Sequence, residues 1–149
     1  MKITNEDLKR FSKQIILKNI GIAGQKKIFS AKVVVVGVGG LGCPLITYLA
    51  NSGVGNIGIV DHDKVDITNL NRQILFNSRD IGKFKVDRAQ KAIRDINKKI
   101  KIFSYKKKIN KENIKKILDK FDIVCDGTDN FKTRYLINDY CLKNKKILI

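Results

Sequence analysis

Lys32 to Val36 is an unbroken β-branched run, and it passes directly into Gly37-Val38-Gly39-Gly40-Leu41-Gly42. A strand without polar alternation must be covered on both faces, which selects a parallel sheet buried between helices. The glycines fit G-x-G-x-x-G between a strand and a helix. Gly37 permits the tight turn, Gly39 and Gly40 let backbone N–H groups approach a phosphate, and Gly42 lets helix and strand pack closely. Asp61 closes the next strand 19 residues after Gly42. A carboxylate there accepts hydrogen bonds from ribose hydroxyls, and Asp63 lies beside it. The motif predicts nucleotide binding, but alone it does not choose between a dinucleotide and ATP.

The rest of the chain repeats the same alternation. Strands are expected at 32–36, 56–60, 100–105, 121–125 and 146–149. Helices are expected from the glycine turn to residue 52, then at 83–97, at 110–120 and from about 131 to 142. Upstream, 4–19 reads as a helix capped by Thr4 or Asn5 and stopped by Gly21, and 24–30 as a second, short one. The fold class is therefore α/β: Rossmann-like and doubly wound, with a mainly parallel sheet, helices on both faces and two N-terminal helices before it. Residues 1–30 form the helical segment and 31–149 the nucleotide-binding domain. The chain stops within its last strand, so a fragment truncated at its C-terminal end is expected.

Charge narrows the partners. Lys+Arg 31 against Asp+Glu 14 gives +17. The excess is lysine spread along helix faces and turns, without the arginine and aromatic interleaving of nucleic-acid readers. A solvated surface is the expectation and nucleic acid is not. No apolar stretch is long enough for a membrane helix, and the polar start does not resemble a secretory signal, which points to the cytoplasm. Cys43, Cys125 and Cys141 form no CxxC pair, and His62 has no cysteine at a metal-site spacing. Cys43 sits where a helix N-terminus can acidify a thiol; packing against the sheet is the plainer reading.

Two polar stretches carry more chemistry than the glycines. Asp66 to Gln73, DITNLNRQ, places a guanidinium among amides just past Asp61. Hydride transfer needs no such cluster, whereas a reaction building charge on phosphate does. Arg72 suits a triphosphate, with Asn69 and Gln73 orienting its oxygens. Lys85, in the first turn of the next helix, is by position alone equally a phosphate ligand or a surface lysine. Asp126-Gly127-Thr128-Asp129-Asn130 follows a buried strand, at the sheet edge where this architecture binds ligands. Asp129 is a hard oxygen ligand for Mg²⁺, unless it or Asp126 caps the following helix.

GVGGLGCP, VDHDKVDITNLNRQ, IGKFKVDRA and CDGTDNFKTRYLIND, in this order and spacing, closely resemble the ThiF/MoeB/HesA group, relatives of the ubiquitin-activating enzymes. The resemblance covers nearly the whole chain. It implies Mg-ATP as cofactor and adenylation of the Gly-Gly tail of a ubiquitin-like sulfur carrier (ThiS- or MoaD-like) in thiamin or molybdopterin biosynthesis. It also implies a homodimer. Asp61 and Asp63 would sit at the ribose or metal end, Asn69, Arg72, Gln73 and Lys85 on phosphates, and Asp129 near Mg²⁺. The family's opening R-Y-x-R-Q reads Arg10-Phe11-Ser12-Lys13-Gln14 here, so Lys13 replaces the arginine that reaches a neighbouring subunit's triphosphate, with Arg10 a second candidate. The family's zinc-binding CxxC pairs would lie beyond Ile149. The alternatives are an NAD oxidoreductase and, within the group, the dehydratase of a modified tRNA adenosine.

Overall fold

The computed structural model describes residues 3–149. Its valine run becomes the central strand of five: β1 (Lys32–Val36), β2 (Asn56–Val60), β3 (Lys101–Tyr105), β4 (Ile123–Asp126) and β5 (Ile147–Leu148). The order is β3-β2-β1-β4-β5 and every pair is parallel. Seven helices accompany them among the described residues: α1 (Asn5–Arg10), α2 (Ser12–Ile15), α3 (Gly21–Ser30), α4 (Gly42–Ser52), α5 (Lys85–Ile96), α6 (Ile114–Leu118) and α7 (Phe131–Lys143).

Alternate residues of each strand face opposite layers. Val33, Val35, Ile57 and Ile59 pack with Ile46 of α4 and Val86, Ala89 and Ile93 of α5. Val34, Val36 and Val124 pack with Ile117 and Leu118 of α6 and Ile137 of α7. Each such side chain taken out of water contributes roughly 1.5–3 kcal/mol, which is why all of β1 after Lys32 is apolar. The doubly wound parallel sheet is as expected, and β1, α4 and β2 keep their expected limits.

The N-terminal segment differs. Helix 4–19 is broken at Phe11, and its second piece ends at Ile15. Phe11 turns inward at φ −103 and stacks edge-on against Phe29, with centroids 5.1 Å apart, so burial overrides helical continuation. Gly21, at φ +55, opens α3 instead of closing the helix before it. α6 is shorter than 110–120 because Asn110 and Asn113 bond each other's backbone N–H groups and consume the first turn.

Side chains tie this segment to the amino edge of the sheet. Thr4 and Asp7 form a reciprocal cap on α1, and Lys99 Nζ donates to Asp7 at 2.8 Å. Arg10 donates to the Ile96 carbonyl at 2.5 Å, and Gln14 and Gln25 both donate to Ser52 O. A small cavity of about 150 Å³ lies here, lined by Asp7, Phe11, Asn97 and Lys99 among others. Among the described residues, no helix is long and apolar enough to cross a membrane.

Candidate functional site

The glycine turn is held by contacts that allow no side chain. A Cβ on Gly37, at φ +90, would lie 2.8 Å from Gly127 O, and one on Gly42 would lie 2.0 Å from Gly37 O. Both turns, after β1 and after β4, therefore meet backbone to backbone. Among the described residues, the amides of Gly39, Gly40 and Leu41 donate to no protein acceptor. These orphan donors at the start of α4 form a ready anion site.

Asp61, expected at the ribose, has a structural task in the fold. Its Oδ2 accepts from Val38 N at 2.6 Å and its Oδ1 from Asp63 N at 2.7 Å, with the residue 8% exposed. The carboxylate therefore clamps the glycine turn to the end of β2, and only its remaining lone pairs are open to a ligand.

The connection between β2 and α5 is an excursion closed at its base. Val65 N bonds Lys83 O and Gly82 N bonds Val65 O, both at 2.9 Å, beside a bridge from Lys64 to Phe84. Asp80 and Arg88 pair at 2.6 Å and fasten this base to α5. Asp66 and Asn69 cap a 3₁₀ turn over Ile67–Asn69 that sets the path of the next residues. Arg72 then crosses the glycine turn: its Cγ would be 3.4 Å from a Cβ on Gly40, while its Nη1 donates to Thr68 O at 3.0 Å. Gln73 is buried, and its Oε1 has no partner among the described residues. Lys85 is 6% exposed, with Nζ 3.4 Å from Asp63 Oδ2. Burial removes the surface-lysine reading, and the Asp63 carboxylate is the anion beside the sheltered ammonium.

After β4, Asp126 Oδ1 accepts from Thr128 N at 2.9 Å and from its hydroxyl at 2.7 Å. The cap of α7 is Asn130, which accepts from Thr133 N at 2.9 Å, so neither Asp126 nor Asp129 caps that helix. Among the described residues nothing donates to the Asp129 carboxylate, which is exposed. As an exposed hard-oxygen donor on the cavity wall, its chemistry fits Mg²⁺.

These parts meet in one cavity of about 660 Å³ at the carboxyl edge of β1, β2, β3 and β4. Gly37, Gly39 and Gly40 line it with Asp61 and Asp63; so do Asn69, Arg72, Gln73 and Lys85, and from the other side Asp129. Gly42 acts behind the wall, in packing. Lys13 is exposed on α2 and lies outside the cavity lining. Lys107, Lys108, Thr133 and Arg134 also line the cavity and were missed from sequence. The lysines follow β3, and only that position among so many lysines could have marked them.

Asp61, His62 and Asp63 can bring three ligand atoms within 4.8 Å of one another. His62 Nε2 is 3.4 Å from Asp63 Oδ1, and both side chains are half exposed, as loop residues are. Cys43 is fully buried, and burial pushes its thiol up to about 11, which removes it as an acidified nucleophile. Cys125 and Cys141 are likewise buried and raised by desolvation.

A model of the ThiF family matches residues 11–149. The adenylyltransferase and sulfurtransferase MOCS3 of Culex quinquefasciatus is 47% identical over 148 residues, 99% of this chain and 34% of that protein. The sulfur carrier protein adenylyltransferase of Thermus thermophilus is 42% identical over 149 residues, 100% of this chain and 55% of that protein. Among solved structures, the tRNA N6-threonylcarbamoyladenosine dehydratase of E. coli in complex with ATP superposes with a TM-score of 0.92 at 27% identity, covering 99% of this chain and 60% of that one. The chain thus spans about a third of the first relative's length and somewhat more than half of the others'.

Proposed function

The chain belongs to the ThiF family, and on that premise we propose that it binds Mg-ATP and adenylates the C-terminal glycine carboxylate of a ubiquitin-like sulfur-carrier protein, releasing pyrophosphate. The observation that carries this reading is convergence: Arg72, Lys85, Asp129 and the free amides of Gly39 and Gly40 come from separate segments and line one cavity. An NAD oxidoreductase would use the glycine turn and Asp61 and leave those side chains without a role. The names of the Culex and Thermus relatives support the carrier as acceptor.

In this reaction a carboxylate oxygen attacks the α-phosphorus. A new P–O bond forms as the bond to the bridging oxygen of the β-phosphate breaks, and pyrophosphate leaves with that electron pair. Both reactants are anions. Arg72 and Lys85 suppress their repulsion and hold the departing oxygens, and the amides of Gly39 and Gly40 cradle the polyphosphate. Asp61 fixes the glycine turn and offers its remaining lone pairs to the ribose, while Asn69 and Gln73 orient phosphate oxygens. Mg²⁺, held through Asp129, would neutralise polyphosphate charge and polarise the reacting phosphoryl group.

Residues 31–149 are taken as the nucleotide-binding unit and 1–30 as a helical segment that presents Lys13 to a second subunit of a cytoplasmic homodimer. Arg10, committed to the Ile96 carbonyl, is the weaker candidate for that reach. A second reading keeps the chemistry and changes the acceptor to a modified tRNA adenosine. The likeness to the E. coli dehydratase and the +17 charge favour it.

Exchange of labelled pyrophosphate into ATP by the full chain tests the proposal. Exchange that requires a carrier ending in Gly-Gly is the expected result. Stimulation by threonylcarbamoylated tRNA instead would move the assignment to the second reading. Absence of exchange with both, together with tight NADH binding, would reject adenylation.

A further inference from the structure

Arg134 lies just beyond the first turn of α7, yet its guanidinium runs back to the turn it has left. Nε donates to Thr128 O at 2.9 Å and Nη2 donates to the same oxygen at 2.6 Å. The Thr128 carbonyl belongs to the peptide plane that carries the Asp129 amide. Holding its oxygen from two donors fixes that plane, and with it the direction in which Asp129 projects.

The other flanks of Asp129 are fixed too. Gly127 N bonds Val36 O at 2.8 Å, the Asp126 carboxylate takes Thr128 N and its hydroxyl, and Asn130 caps α7. The Asp129 side chain makes none of these bonds itself. Its aim is inherited from its neighbours, and Arg134 supplies the only clamp that comes from a side chain downstream of the turn among the described residues.

We infer that Arg134 is a positioning residue: by clamping the Thr128 carbonyl it orients the Asp129 carboxylate and so sets the affinity of that site for a divalent cation. The inference rests on the reading above in taking Asp129 as a ligand of Mg²⁺. Only an arginine fork serves both donations; a lysine ammonium is a single point donor on a flexible stem.

The test is a titration of the full chain with Mn²⁺ in the presence of a non-hydrolysable ATP analogue, followed by loss of the free-ion electron paramagnetic resonance signal. Partners that orient a metal ligand are worth 10–100-fold in metal affinity, so Arg134→Ala should raise the Mn²⁺ dissociation constant about tenfold, Arg134→Lys less, while analogue affinity in EDTA stays within about twofold. An unchanged Mn²⁺ constant in both variants overturns the inference. So does a metal-free analogue affinity that falls as far as the metal affinity, since Arg134 would then touch the nucleotide directly. If Arg134→Ala loses cooperative thermal unfolding, Arg134→Lys decides on the same readouts. Should the Mn²⁺ shift appear in a protein that supports no pyrophosphate exchange, the adenylation reading falls and the positioning role stands.

Discussion

The two ends of the sheet each carry a cavity, and they differ in how their polar groups are spent. At the amino edge, Asp7 accepts from Thr4 and Lys99, Asn97 accepts from Lys99 N, and Asn56 donates to the Ala31 carbonyl. At the carboxyl edge, the amides of Gly39, Gly40 and Leu41, the Asp129 carboxylate and Gln73 Oε1 have no partner among the described residues. Gln73 Oε1 is buried, where an unpaired polar atom is costly unless something arrives to pair it, and the exposed Asp129 carboxylate is free for a ligand. The amino edge therefore reads as a joint that secures α1, and the carboxyl edge as a site completed by its ligand.

The comparison breaks first if residues at the carboxyl edge prove to be structural. Removing a preorganised donor or metal ligand costs ~3 kcal/mol of transition-state stabilisation, so Lys85→Ala and Asp129→Ala should each lower pyrophosphate exchange about a hundredfold. Their thermal midpoints should match that of the parent. Unaltered exchange in both variants would remove these side chains from the reaction.

Gly42→Ala probes the wall between packing and binding. Its Cβ would be 2.0 Å from Gly37 O, so overpacking should cost about 1–3 kcal/mol in urea unfolding and displace the amides on which phosphate would rest. Full stability with full nucleotide affinity would mean the turn has slack that its geometry denies.

The smallest effect belongs to the amino edge. The hydrogen bond from Lys99 holds the Asp7 carboxyl below its ordinary range. Its folded value lies under its unfolded one, so the pair stabilises fully above the unfolded value and that contribution fades as pH falls through the folded one. Asp7→Asn should thus be less stable than the parent near neutrality and converge with it as pH falls through and below the ordinary carboxylate range. Exchange activity should be unaffected. A parallel offset at every pH would remove the ion pair from the account.

Much of this was legible in the chain. Lys32 to Val36, Asn56 to Val60 and the helix between them follow from β-branched runs and glycine punctuation, and the structure keeps their limits. Phe11 was not legible, because its inward turn answers to Phe29, a partner in another helix. Arg72, Gln73 and Asp129, which the family motifs single out, line one cavity, whereas no motif marks Arg134, whose fork on the Thr128 carbonyl is a tertiary contact. Lys85 shows the intermediate case: one sequence position cannot separate a sheltered ammonium from a surface one. Burial is a tertiary property.

Equilibrium binding of ATP and AMP to the parent and to Arg72→Ala tests the central claim most directly, because only ATP carries the β- and γ-phosphates that Arg72 is proposed to hold. Each tenfold in affinity is about 1.4 kcal/mol, and a guanidinium engaged with polyphosphate should make ATP bind at least about tenfold tighter than AMP in the parent, with the gap closing in Arg72→Ala. Equal binding of ATP and AMP by the parent, or a gap untouched by the substitution, would contradict it.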